Sequence, residues 1–371
     1  MAFRIVVLGG YGNFGGRICR SLATEKGIWL GVAGRDAARA ADFVRELGAP
    51  AAVCEALRID HDAQDFAAEL AARRPDLVIH TSGPFQGQSY RVADAAIAAG
   101  SHYIDLADGR AFVAGIGALD ASARSRGVLV TSGASTLPAV SSAVIDRLAG
   151  EFERIEWVEI GIAPGQTVPR GKATLESILS YCGRPFAEWN KGRWKKVFGW
   201  QGLRRIHYAD LGWRWAARCD VPDLELLPAR YSIRESVRFD ASLELVSAHV
   251  GLWTLAWLTR MKLVREPAAM TQAILRLARR LDRFGSDVGG MRIMVAGRRP
   301  GGKAGESTWQ LTARNGDGPA IPCIPAIVVA RKLARGESLP PGARPCQGMM
   351  TLEEFSDATR NLAITWRIVQ S

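Results

Sequence analysis

Gly10-Tyr11-Gly12-Asn13-Phe14-Gly15 is the stretch of this chain whose residue types and spacing imply the most chemistry. It follows an apolar run at residues 3–8 and opens a helical pattern, so three glycines at G-x-G-x-x-G spacing fall on a strand-to-helix turn. Gly10 permits the tight turn, Gly12 lets backbone approach a pyrophosphate, and Gly15 allows close packing of helix on strand. Phosphates then meet the free amides of a helix N-terminus, and Tyr11, Asn13 and Phe14 count with the glycines as cofactor contacts. A plain glycine turn is the alternative; the position inside a βαβ unit favours a dinucleotide.

The second apolar run ends Val32-Ala33-Gly34-Arg35-Asp36. Glycine stands where an NAD-binding domain usually places an acid for the ribose hydroxyls, while Arg35 offers a cation to a 2′-phosphate, which favours NADP(H) over NAD. The other reading of Arg35 is a solvated cation at a helix start, and Asp36 reads as the cap of that helix. Further contacts are expected at the carboxyl ends of later strands: Asp60 beside the adenine, and Thr81, Ser82, Gly83 and Pro84 beside the nicotinamide ribose. Catalytic candidates are Asp105 and Asp108, which could orient a substrate amine or relay a proton, and His80 as a general acid. Each has a structural alternative: turn-capping carboxylates for the aspartates and a satisfied buried ring for the histidine.

Positioning these groups requires a regular scaffold. Short apolar runs at 3–8, 28–33, 51–59, 77–80, 102–106 and 128–131 alternate with Ala-rich helical stretches, the pattern of a doubly wound parallel Rossmann sheet. Beyond about residue 150 the style changes. Residues 232–246, 291–296 and 308–313 alternate as strands, and 175–181, 249–264 and 268–284 read as helices. This predicts an α/β chain with a Rossmann domain at 1–150 and a second, α+β substrate domain at 151–320 containing a mixed or antiparallel sheet. A C-terminal segment, 321–371, is expected to return to the Rossmann domain, and 297–305 reads as a loop.

Length and composition agree. At 371 residues the chain exceeds what one ordinary core supports. The longest apolar run of the second domain, 250–258, is far short of the ~20 residues of a membrane span. The first apolar run meets glycine too early for a signal peptide. Cys19, Cys54, Cys182, Cys219, Cys323 and Cys346 form no C-x-x-C pair, so no metal site or disulfide framework is expected, and the thiols read as reduced in a cytoplasmic protein.

A net charge of +11 attracts polyanions, yet no nucleic-acid module is present and sequence-specific nucleic-acid binding is not expected. Residues 191–218 interleave Lys and Arg with Trp194, Trp200, Trp213 and Trp215. Such a segment could hold an acidic or acyl substrate or touch lipid headgroups; the alternative is a strand face packed by tryptophan with solvated cations opposite. Leu252, Trp253, Trp257 and Leu258 could add a hydrophobic wall.

The motifs at 10–15, Gly34-Arg35, Ser82-Gly83-Pro84-Phe85, Tyr103-Ile104-Asp105-Leu106 and the 133–138 loop together resemble the saccharopine dehydrogenase-like NADP-binding family, which includes saccharopine reductases and trans-acting enoyl reductases. Pro138-Ala139 stands where members often carry Pro-Gly. The resemblance implies NADPH-dependent hydride transfer to a C=N or C=C bond of a small-molecule or acyl substrate. The alternative kept open is a non-catalytic NADP-binding or membrane-peripheral protein using its Trp/Arg surface; a peripheral membrane contact and a homodimer are both compatible with the sequence.

Overall fold

The structure, a computed structural model, describes residues 2–169 and 171–370. Two compact units divide the chain: Met1–Val140 with Ala320–Met350, and Ser141–Pro319 with Thr351–Ser371.

In the first unit the apolar runs form β1 (Phe3–Leu8), β2 (Ile28–Gly34), β3 (Val53–Arg58), β4 (Leu77–His80), β5 (His102–Asp105) and β6 (Leu129–Ser132). They pair in parallel in the order β6-β5-β4-β1-β2-β3, with a seventh strand, Gly342–Pro345, parallel to β6 at the edge. β4 and β6 are buried along their whole length because helices cover both faces of the sheet, which is why these strands read as continuous apolar runs rather than alternations. The helix Ile324–Ala334 places Ala326, Val329 and Ala330 in the same core as Ile5, Val7 and Leu30. Strand order reverses between β1 and β4, so the carboxyl ends of these two strands border the crevice in which open α/β sheets bind ligands.

The second unit holds β7 (Arg154–Ala163), β8 (Pro185–Trp189), β9 (Trp194–Phe198), β10 (Arg204–Tyr208), β11 (Gly212–Arg218), β12 (Ser236–Ser242), β13 (Gly289–Arg298) and β14 (Ala304–Ala313). Its main sheet runs β10-β11-β12-β7-β13-β14 and ends on the strand Ile364–Gln370, while β8 and β9 form a separate two-stranded ribbon. Only β12 and β7 pair in parallel, so the sheet is mixed. One face carries the core side chains Val158, Ile160, Val237, Ile293, Val295 and Trp309. The other carries Glu159, Arg238, Arg292 and Gln310, neighbours by register.

Several expectations change in the fold. The C-terminal segment does not return as one piece: residues up to Met350 join the Rossmann unit, but Thr351–Ser371 belong to the second unit, where the last strand extends the sheet beside β14. The alternation at 232–246 yields only the strand Ser236–Ser242, because a helix begins at Val246 and runs to Arg260. Residues 268–284 contain the helix Thr271–Leu281 between two single turns. The 297–305 loop is the tight end of the β13–β14 hairpin, with register continuing to Arg298 opposite Ala304.

Trp309 is fully buried against Phe355 and Trp366, with ring centroids 6.4 Å from each. Trp309→Ala is expected to destabilise the protein by about 3–5 kcal/mol through the cavity it leaves, read as a fall in urea midpoint with unchanged m.

Candidate dinucleotide-binding site

β1 delivers the chain to Gly9, which turns at a φ of +77°. The amides of Gly9 and Gly10 both donate to the Ala33 carbonyl at 2.9 Å, tying the turn to the end of β2. The Thr81 hydroxyl donates to Leu8 O at 2.8 Å and ties it to the end of β4. Space here is exhausted by backbone. A Cβ on Gly15 would overlap the Gly9 carbonyl oxygen, and one on Gly10 would sit 2.9 Å from Val7 O. The helix Asn13–Leu22 then starts at Gly12 with no side-chain cap, so its first amides are left to a ligand. The pyrophosphate of a dinucleotide fits this cradle because nothing but hydrogen occupies the positions where it must approach.

Gly9 is a site residue that the G-x-G-x-x-G spacing passes over; a Cβ there would lie 2.7 Å from Thr81 Oγ1 and 2.8 Å from Ser82 Oγ. The signal was the Gly9-Gly10 doublet. Gly34 has a similar local role, since any side chain there would overlap the Tyr11 ring, whose hydroxyl accepts from Asp36 N–H at 3.0 Å. Tyr11 thus forms a wall between the cradle and the end of β2, with the Arg39 guanidinium 5.0 Å from its ring centroid.

Beyond that wall Arg35 is exposed, and register sets Arg58 of β3 opposite Gly34, also exposed. Neither makes an ion pair among the described residues, and Asp36, the acid nearest the end of β2, is spent as a cap, accepting from Arg39 N–H at 3.1 Å. Arg58 escaped the sequence reading because only strand register brings it opposite Gly34, at the end of β2. Asp60 accepts from Asp62 N–H at 3.1 Å and shapes its own turn. The 81–84 loop is fastened by Gln88, whose amide donates to Ser82 O at 3.0 Å and Pro84 O at 2.7 Å.

The three catalytic candidates part company. His80 and Asp105 are register partners at the ends of β4 and β5, and both are buried. The His80 Nδ1 lies 3.2 Å from the Tyr103 hydroxyl. Burial, helped by the neighbouring His61, lowers its pKa to about 3, which removes the protonated form that a general acid at neutral pH would use.

Asp105 Oδ1 accepts from Gly133 N–H at 2.8 Å and from Ala107 N–H and Ser132 Oγ at 2.9 Å. Burial raises this carboxyl to about 6 against the lowering effect of those donors. Its place is beneath the 132–134 loop, which it pins to β5. Asp108 alone of the three is exposed, and its Oδ1 accepts from Gln86 Nε2 at 3.1 Å.

In the second unit the basic Trp-rich segment becomes β9, β10 and β11. Trp200 is fully buried, whereas Trp194, Trp213 and Trp215 stay partly in water. Its arginines are not simply solvated: Arg218 pairs with the buried Glu188 at 2.9 Å, and Arg204 bridges Glu159 and Asp240.

This arrangement defines a Rossmann unit with a cradle for a dinucleotide. Residues 5–147 match the saccharopine dehydrogenase NADP binding domain. A search of curated proteins finds no match. Among solved structures, the apo saccharopine dehydrogenase (L-Glu forming) of Saccharomyces cerevisiae aligns over 99% of this chain and 100% of its own, at 13% identity and a TM-score of 0.69, and so shares the fold of both units. An amine dehydrogenase from Mycobacterium smegmatis aligns over 92% and 94% at 14% identity and a TM-score of 0.47.

Two outcomes follow from the geometry. Gly15→Ala should destabilise the protein by about 1–3 kcal/mol, since the new methyl meets backbone that cannot move aside, and should weaken NADPH binding in a fluorescence titration. For His80 the folded pKa lies below the ordinary 6.5, so its contribution to stability is complete above pH 6.5 and is lost as pH falls toward 3. Between pH 7 and pH 4, His80→Leu should therefore lose less stability than the wild type, by on the order of 3 kcal/mol in urea denaturation; parallel losses would show that His80 titrates normally.

Proposed function

We propose that the protein transfers hydride between NADP(H) and a C=N or C=C bond of a small-molecule or acyl substrate in the cytoplasm. The observation that carries the cofactor half of this reading is the pairing of the glycine cradle with Arg35 and Arg58 at the ends of β2 and β3, where no free acid competes for them. Two unpaired guanidiniums suit a 2′-phosphate, which they can meet with charge-assisted hydrogen bonds. No disulfide joins the six cysteines among the described residues, which is compatible with a reducing compartment.

The cofactor supplies the hydride. The chain's own residues bind and orient. The 81–84 loop, braced by Gln88, sits where the nicotinamide ribose is expected. Asp108, held by Gln86 at the exposed end of the β5 loop, is the group placed to orient a substrate amine or move a proton. Asp105 acts as a positioning residue, holding the 132–134 loop from below. The C=N alternative draws support from the acid at 108, since a carboxylate stabilises a substrate iminium or ammonium.

The test is titration of the purified protein with NADPH and NADH, followed by NADPH oxidation against a panel of imine and enoyl substrates. Arg35→Ala and Arg58→Ala should each weaken NADPH binding about 10–100-fold while leaving NADH unchanged, the loss of one charged hydrogen bond at about 1.5–3 kcal/mol. Equal loss for both cofactors would remove the 2′-phosphate assignment. Absence of NADPH binding in the wild type would overturn the function.

A further inference from the structure

The helix Val246–Arg260 is apolar on both sides. Leu252, Leu255, Ala256 and Thr259 bury one side in the second unit. The other side shows Val246, Val250, Trp257, Leu258, Met261 and, just past the helix, Leu263 to solvent, with Met261 63% and Leu263 68% exposed. At 100° per residue the five positions from 246 to 261 fall within an arc of about 120°, so they form one stripe rather than scattered contacts.

Charge along the stripe itself is basic, with Glu244 and Glu266 lying just outside it. Residues 246–265 contain Arg260, Lys262 and Arg265 and no Asp or Glu. Arg260 is fixed at the rim, its guanidinium 3.9 Å from the Phe198 ring centroid and 5.0 Å from that of Trp257, with Nη1 donating to Gln201 at 2.7 Å. Lys196 approaches the same Phe198 ring at 5.8 Å. The cations are thus held beside the apolar stripe.

We infer that this face docks onto an anionic lipid surface, with Trp257, Leu258, Met261 and Leu263 entering the headgroup boundary and Arg260, Lys262, Arg265 and Lys196 meeting lipid phosphates. Apolar tips ringed by cations gain from both burial and the negative surface potential of such a membrane. A second copy of the chain fits less well. A two-fold contact brings the same patch against itself, which would set this basic rim against an identical basic rim with no acid in the stripe to relieve it. The contact is peripheral, because no described helix is long and apolar enough to cross a membrane.

The full chain would be co-sedimented with phosphatidylcholine vesicles and with vesicles of phosphatidylcholine and phosphatidylglycerol. Binding is expected to the anionic vesicles alone, and to weaken several-fold between about 0.05 M and about 0.3 M salt as screening grows. Leu263→Asp and Met261→Asp should each reduce it roughly tenfold. Both variants should keep the wild-type far-UV circular dichroism and urea midpoint, which report that the second unit folds. Three results would overturn the inference: no binding to anionic vesicles, equal binding by the Asp variants, or a dimer in sedimentation velocity that Leu263→Asp dissolves.

Discussion

The nucleotide-binding unit depends on how closely three backbone segments approach one another: the turn after β1, the end of β2 and the end of β4. Gly9 and Gly10 amides reach Ala33 O, and Thr81 reaches Leu8 O, so the turn is fastened to both neighbouring strands before any ligand arrives. Such closeness leaves no volume for side chains at residues 9, 10 and 15. A helix N-terminus held this rigidly presents its amides in one arrangement, which is what a phosphate site requires.

Buried carboxylates extend that order. Asp105 gathers two amides and a hydroxyl onto one oxygen and so joins β5 to the loop after β6. In the second unit Asp223 is also fully buried, accepts from Ser141, and is raised to about 7 by burial. Burial pushes both carboxyls up and His80 down for one reason, since in each case it disfavours the charged form.

The second unit meets the same difficulty of polar burial with ion pairs. Asp240, fully buried, receives Arg204 and Arg238, while Glu188 receives Arg218. Removing one member of such a group leaves its partner buried without compensation, so the lattice resists piecemeal change whatever its net contribution to stability. The apolar stripe at 246–263 stands apart from this lattice.

By itself the sequence determined the parallel sheet, the phosphate turn and the preference for NADP(H). Strands buried on both faces read as apolar runs, and the glycine spacing and the missing acid after β2 are local features that need no long-range partner to be recognised. It did not show that Arg58 stands beside Gly34, that Asp105 and His80 are sealed from solvent while Asp108 is not, or that residues 342–345 and 364–370 complete different sheets. These depend on register, burial and pairing between residues far apart in the chain. The alternation at 232–246 misled for the same reason: six residues found partners in β7, and those from Val246 onward found a better one by coiling and burying Leu252 and Leu255. Local pattern records which side chains prefer the interior, whereas only the assembled chain decides which neighbour supplies it.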